Sequence, residues 1–525
     1  MMDTSRCTMT SDYHSLTREA VIKLLEQKDA ELKDKDAELE RKSRRILELE
    51  RMVYGRRSEK RLPESACDWT GMLFEEQWAK EGSLAQVEAL PIIKEIKQQA
   101  GQRRASRRAS RPSRKGTAYA SYVPENIERQ VTEIYPEGYD AERMVIIGHD
   151  RSERLCLRPS SFYVRVEDRV ICRLEEARPT DAKVDILEAP LKKQAVDCFA
   201  DASLLAEIIT AKFAYHQPEY RQCARWKEHG INIPTSTVNC WVHDAADALY
   251  PLYKLQARQI LQSPYLQVDE TSVQVADRKG KTRKGYLWGV RDAMHSQGVF
   301  FHWKDGSRSG SVADELFKGY QGAIQSDGYE AYSRFENVQG IVLLGCMAHM
   351  RRKFEHLAAD DKNAAHIIET IATLYELEEN LKHKKAPPEE VETERKTKAY
   401  PILKYLETYM LDVYKQYTPG EAMEKALRYA FAVWIRIGRY VQDGRFNIDN
   451  NLMEQAIRPI TLGRKNYLFC GNNEGAENNA IFYTFMACCR ELNIEPYRWM
   501  KEVLSKPLPD MTEEELTKML PSSFK

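Results

Sequence analysis

The stretch Tyr265–Asp277, "YLQVDETSVQVAD", decides the fold of this chain. It opens on an apolar run, sets Asp269 and Glu270 side by side, and then alternates apolar and polar residues. Alternation of period two marks a half-buried β-strand. Two more such runs follow, "KGYLWGVRD" and "GVFFHWKDG", the first reached through the polar turn "RKGKTR". Three consecutive antiparallel strands are therefore expected. A short helix comes next, from Ser311 to Phe317. Then "GAIQSDGYEAY" and "GIVLLGCMAHMRRKF" each read as an apolar strand running into a helix.

Three antiparallel strands, a helix, then strand and helix twice over is the order of a ribonuclease H-like fold. The expected class is α/β, with a ribonuclease H-like core at 259–358, a helical insertion at 359–440, a second core segment at 441–505 and a tail at 506–525. The strongly helical "NNAIFYTFMACCREL" closes the core.

Working back toward the N-terminus, residues 181–258 turn helical. There "YRQCARWKEHGINIPTSTVNCWVHDAADAL" reads as helix, Gly-containing turn, capping "PTST" and second helix. A helix-turn-helix has this shape, and so do many helical hairpins. Residues 121–180 carry short alternating runs such as "SFYVRVEDRVICRL", which suggest a small β unit. Residues 60–120 read as a linker, within which "RRASRRASRPSRK" holds seven positive charges and no negative one. Such a block is either a solvated spacer or a contact for the DNA backbone. In residues 1–59, Leu25, Leu32, Leu39, Ile46 and Val53 recur every seven residues in a highly charged context. That spacing suits a weak two-stranded coiled coil, hence a homo-oligomer, or a long solvated helix.

Composition narrows the class. The chain has 525 residues, 42% hydrophobic and 30% charged, with 79 basic and 79 acidic side chains. Net charge therefore names no partner. No run of apolar residues is long enough to span a bilayer, and the N-terminus lacks the apolar centre of a signal peptide. Eleven cysteines at irregular spacing imply no disulfide framework. A cytoplasmic protein without membrane partners is expected.

Three carboxylates stand out. Asp269 follows "YLQV", and Asp327 follows "GAIQS". Both fall at or near the ends of strands that can be neighbours, where α/β sheets place functional groups. Glu454 lies in "FNIDNNLMEQAIRP", on a helix able to pack against that sheet. Two aspartates and a glutamate can hold two Mg²⁺ ions through hard oxygen ligands, the arrangement for in-line phosphoryl displacement. Each also has a structural reading. Asp269 can be a strand-end turn residue with Glu270 competing for the role, and Asp327 before Gly328 is a common turn pair. Asn451 and Glu454 resemble a capping box, with Arg458 as the helical ion-pair partner of Glu454.

Several ordered motifs now carry a family resemblance. "DGRFNIDNNLMEQAIRPITLGRKNYLFCGNNEGAENNA" follows "VDET", "SDGYEAY" and "GCMAHMRRKF", in that order, with "YGRRSEK" upstream. From about Leu47 onward the chain resembles transposases of the insertion sequence 66 family, the large DDE-type protein of those elements. The resemblance implies that Asp269, Asp327 and Glu454 form the catalytic triad and bind two Mg²⁺ or Mn²⁺ ions, with Asp269 preferred over Glu270. It implies cleavage at terminal inverted repeats, strand transfer into target DNA, small accessory proteins, and work at the bacterial nucleoid.

Cys346 and His349 match a Cys-x-x-His element, a weak zinc signal without a second pair. His349 is expected at a helix start near the site, in reach of DNA. Arg351, Arg352 and Lys353 are either phosphate contacts or a solvated helix face, and so are Arg464 and Lys465. Asn450, Asn451 and Arg458 are expected to position Glu454 or touch DNA. One departure from the family is plain: its small zinc module is built on Cys-x-x-Cys pairs, and here only Cys156 and Cys172 remain, so no zinc is expected. The alternative to an active transposase is a catalytically inactive DNA-binding protein derived from such an element. A ribonuclease H-like nuclease acting on RNA would not need the helix-turn-helix and coiled coil.

Overall fold

The computed structural model describes residues 193–524 apart from 278–279 and 295–296, together with 89–103, 161–166, 171–173 and 186–188. The coiled coil expected at 1–59, most of the basic block and Cys156 lie outside the described residues. Of the expected β unit, β1 (Ile171–Arg173) is described; it pairs antiparallel with β2 (Ile186–Glu188), a strand that falls past residue 180, in the stretch expected to be helical.

Three helices lead into the sheet: α1 (Ala202–Phe213), α2 (Glu219–Glu228) and α3 (Thr235–Ile260). Gly230, at φ +80°, supplies the left-handed turn after α2 that the sequence suggested. The expected "PTST" cap is not made: Pro234 holds the N-cap position and no side chain caps the helix. The second helix is also far longer than a recognition helix, at 26 residues. It buries Val238, Trp241, Val242, Ala245, Leu249 and Leu252, so it serves as a strut of the core.

The sheet has the order β5-β4-β3-β6-β7. β3 (Tyr265–Ala276), β4 (Thr282–Asp292) and β5 (Val299–Trp303) form an antiparallel meander. After α4 (Gly310–Leu316) the chain crosses to β6 (Gly322–Gln325) and β7 (Ile341–Leu344), which run parallel to β3. A 3₁₀ segment, Glu330–Phe335, stands where a helix was expected after β6, and α5 (Met347–Glu355) follows β7.

Period-two alternation divides the strands between two cores. Leu266, Val268, Val290, Phe300, Ile324 and Leu343 pack beneath Val312 and Phe317 of the α4 segment and Tyr332 and Phe335 of the 3₁₀ segment. Val273, Val275, Leu287, Val299 and Phe301 pack on the opposite face against α10 (Asn451–Tyr467) and α11 (Asn473–Glu491). Every residue of α11 from Asn478 to Cys489 is buried, as expected of a helix that is apolar all round. Each fully buried Ile, Phe or Met among them contributes about 1.5–3 kcal/mol.

The insertion is helical, as expected: α6 (Lys362–Lys384), α7 (Pro388–Glu394), a π turn at Arg395–Ala399, α8 (Tyr400–Tyr414) and α9 (Ala422–Gly438). It has its own core around Ile367, Ile371, Leu374, Leu406, Leu427 and Trp434, shared with Met350 and Phe354 of α5. Two stretches differ from their expected roles. Residues 89–103, read as linker, are helical, and Ile96 enters the insertion's core while Lys97 pairs with Glu369. Ala89, Ile96 and Ala100 give that segment an apolar face that its charged surroundings mask in sequence. The tail at 506–525 is docked, with Leu508, Leu516 and Leu520 buried beside α12 (Pro496–Leu504) and α13 (Glu513–Met519).

Candidate active site

The parallel pairing of β3 with β6 sets Gln267 opposite Gln325. Continuing the same offset brings Asp269 level with Asp327, just beyond the end of β6. Asp269 lies on the sheet face that α10 crosses: its partner across the antiparallel pair is Gly289, where a Cβ would collide with Met453 of α10. Asp269 accepts the Glu270 amide (2.8 Å), and Asp327 accepts the Tyr329 amide (2.8 Å). Tyr429 of α9 donates to the Asp327 carbonyl (2.6 Å). Gly328, at φ +87°, has Val433 Cγ1 only 2.7 Å from where a Cβ would sit, so the insertion closes against this turn.

Glu270 points the other way. Its side chain is fully enclosed, paired with Arg308 Nη2 (3.0 Å) and accepting the Tyr332 hydroxyl. The Arg308 guanidinium lies 3.9 Å from the centre of the Tyr329 ring and 5.1 Å from that of Tyr286. Glu270 is thus committed to the face opposite Asp269, because successive strand residues point to opposite sides.

The segment before α10 is held by buried polar contacts. The Gln267 amide donates to Gln325 Oε1 (2.9 Å) and to the Asp449 carbonyl (3.1 Å). Gln325 donates to the carbonyls of Gly345 (2.9 Å) and Asn447 (2.8 Å), and Tyr265 donates to Gln325 (2.6 Å). Asn450, 0% exposed, donates from its side chain to the Val268 carbonyl (2.9 Å). The sequence did carry a signal for the two glutamines that our reading passed over. Each lies two residues before its aspartate, in "QVD" and "QSD", so each shares that aspartate's face.

The capping-box reading is overturned. Asn450 occupies the N-cap position, Asn451 is the first helical residue, and no side-chain cap bond forms. Asn451 instead donates to Asp449 from its amide (3.0 Å) and its side chain (2.7 Å). The Glu454 carboxylate is therefore not tied to a helix-start amide. It pairs with Arg352 Nη2, at 2.7 and 2.5 Å to its two oxygens, and lies 3.5 Å from His349 Nε2. The expected pairing with Arg458 is replaced by these contacts, and Arg458 is exposed.

Burial pushes the Asp269 carboxyl well above the usual carboxylate range, and the charges of Asp327, Glu270 and Glu454 add to it. Burial lowers the His349 imidazole, against the pull of Asp327 and Glu454. Cys346 is buried, accepts the Asn450 amide (3.2 Å), and has its thiol pushed up to about 12 by burial.

The remaining candidates divide. Arg351 pairs with Glu355 (3.2 Å), and Lys353 lies over the Tyr429 ring (4.8 Å). Arg464 is engaged with Ser272, at 2.5 Å to its carbonyl and 3.1 Å to its hydroxyl, whereas Lys465 is exposed. Among the described residues, no three His, Cys, Asp or Glu side chains converge closely enough to hold a metal ion.

Comparison with known proteins puts the chain among the transposases, a class of DNA-cleaving enzymes. It belongs to the IS66 family, whose profile ("Transposase IS66 family") matches residues 197–478 and so spans all three carboxylates. Three proteins of Sinorhizobium fredii (strain NBRC 101917 / NGR234) are similar along most of their length. The uncharacterized protein y4qI is 28% identical over 494 residues, covering 91% of this chain and 87% of the relative. The uncharacterized protein y4jD is 27% identical over 445 residues, covering 80% and 85%. The uncharacterized protein y4hP is 28% identical over 432 residues, covering 77% and 76%. Among the described residues no helix is long and apolar enough to cross a membrane.

Proposed function

We propose that this chain is a DDE-type DNA transposase with a ribonuclease H-like core, and that Asp269, Asp327 and Glu454 are its catalytic carboxylates. One observation carries the reading. Asp269 lies on β3, on the face crossed by the helix that bears Glu454, and the β3–β6 register carried two residues past Gln267 and Gln325 brings Asp327 level with it, just beyond the end of β6. The strand order and sense, an antiparallel meander extended by two parallel strands, support the fold.

The donors fit a hard divalent cation. All are carboxylate oxygens, and Asp269 is held beside Asp327 with its charge disfavoured by burial, a situation a cation relieves. Two Mg²⁺ or Mn²⁺ ions held there would activate the attacking oxygen and stabilise the leaving one in an in-line displacement. Glu454 joins the pair only by leaving Arg352. The freed guanidinium, with Lys353 and Arg351 on the same helix, then faces the DNA backbone, where it can bind a phosphate in a fork. The Gln267–Gln325 layer and Asn450 keep α10 in register with β3 while Glu454 turns.

The reaction has two steps in one site. Water first attacks the phosphodiester at the element end, releasing a 3′-hydroxyl. That hydroxyl then attacks a target phosphodiester and displaces its 3′ oxygen. The N-terminal heptads would pair two chains, the α2–α3 unit would contact end DNA, and accessory proteins of the element would assist. The test is cleavage of a terminal inverted-repeat duplex with Mg²⁺. Glu454→Gln should bind the duplex yet lose at least about 100-fold in nicking, the scale of several kcal/mol of metal-borne charge stabilisation. EDTA should stop the wild type. Full nicking by Glu454→Gln would remove Glu454 from the site, and duplex binding without nicking by the wild type would favour an inactive derivative.

A further inference from the structure

The far end of α10 carries a feature that the cleavage chemistry does not use. Leu468 closes the helix at φ 61°, ψ −52°, and the Phe469 amide donates to the Tyr467 carbonyl (2.6 Å). This is a γ-turn with positive φ, a strained conformation for a branched side chain. The turn holds two large apolar side chains in solvent, Leu468 at 64% and Phe469 at 50% exposure. They stand on a rigid base. Cys470 bridges to the end of β3, its amide donating to Gln274 (2.8 Å) and its carbonyl accepting from Ala276 (2.8 Å).

The tip is aligned with Glu454. Glu454, Arg458, Thr461, Lys465 and Leu468 follow at i, i+4, i+7, i+11 and i+14, one stripe of the helix surface. Arg458 and Lys465 are exposed along it, while Met453, Ala456, Ile457 and Ile460 face the core. Beside the tip, Arg221 of α2 contacts Asn466 (3.3 Å) and lies over the ring of Tyr220, itself 56% exposed. Exposed cations along a line, ending in exposed apolar and aromatic side chains, match a DNA backbone followed by opened bases. At 1.5 Å per residue the tip lies about 20 Å from Glu454, or about six base pairs of B-DNA.

We propose that Leu468 and Phe469 form a wedge that unstacks the element-end DNA about six base pairs from the bond being cut, with Arg458 and Lys465 tracking the phosphates between. This rests on the transposase reading and adds to it a site that distorts the substrate.

The test uses the full chain and a duplex taken from the terminal inverted repeat beside its gene, with 2-aminopurine at a single position in each of a set of probes. Ca²⁺ replaces Mg²⁺ so that the DNA stays intact. Wild type should raise 2-aminopurine fluorescence severalfold at positions near six base pairs from the cut and nowhere else. The double variant Leu468→Ala, Phe469→Ala should return those positions to the free-duplex level and weaken binding by about tenfold, as for loss of a stacked base. Phe469→Trp should keep the signal, and thermal melts should match the wild type because both side chains are exposed. Bound duplex with flat fluorescence at every position overturns the wedge and leaves the transposase reading standing. No duplex binding by the wild type sinks both. Unchanged fluorescence together with a smaller oligomer in the double variant makes the tip a contact between copies of this chain and overturns the wedge.

Discussion

Asp269 sets stability against chemistry. Burial and three neighbouring carboxylates push its carboxyl upward, so the folded state disfavours its charge. The sign follows from linkage. Below the unfolded value, near 4, both states are protonated and the site costs nothing. As pH rises past that unfolded value the cost grows, because the unfolded carboxyl ionises while the folded one holds its proton, and it is fully present above the raised folded value. Asp269→Asn should therefore melt at a higher temperature than the wild type at pH 7, with the advantage fading as pH falls toward about 4. Mg²⁺ should raise the melting temperature of the wild type and not of the variant. Equal melting temperatures at pH 7 would show that Asp269 is not strained by its neighbours. Glu270 shows how much one residue of register decides. Sequence offered two adjacent carboxylates, and only the sheet told which face α10 crosses.

At the scale of the element, α10 is placed by contacts that precede it. Asn450 holds the start of the helix to the Val268 carbonyl, next to Asp269. Asn450→Ala should leave that buried carbonyl unpaired and destabilise the fold by about 1–3 kcal/mol. Because it loosens the helix that carries Glu454, it should also lower nicking while duplex affinity holds. Urea unfolding with parallel cleavage assays would read both, and undiminished nicking would refute the positioning role. The helix itself was legible from its spacing, and its first turn was not. The Asn-x-x-Glu pattern pointed to a capping box, but Asp449 took the Asn451 amide and Arg352 took the glutamate. A cap is a local bond, and here tertiary partners outcompeted it.

At the scale of the molecule, the insertion is joined to the core through a buried charge. Arg395, 3% exposed, pairs with Glu378 at 2.9 and 2.7 Å and donates to the carbonyls of Tyr440 (3.1 Å) and Asp443 (2.9 Å). Those carbonyls belong to the segment that leads to α10. Arg395→Ala should cost about 3–5 kcal/mol, since it strands Glu378 and two carbonyls in the interior. Arg395→Lys should recover little, because a single ammonium cannot reproduce the fork. A loss below about 1 kcal/mol in urea unfolding would show that Arg395 is not what joins the insertion to the core.

The sequence by itself determined the strands of the sheet and the helices of residues 362–438, and it singled out three carboxylates as candidates, because period-two and helical spacing and the ordered motifs are local properties of the chain. It also held the paired "QVD" and "QSD" that mark the buried glutamine layer. Tertiary structure alone decided that Asp269 lies level with Asp327, that Arg352 rather than Arg458 holds Glu454, that residues 89–103 pack on the insertion, and that Leu468 and Phe469 stand in solvent. Each of these depends on a partner distant along the chain, brought close only by strand register and helix docking, and neither is encoded in local spacing.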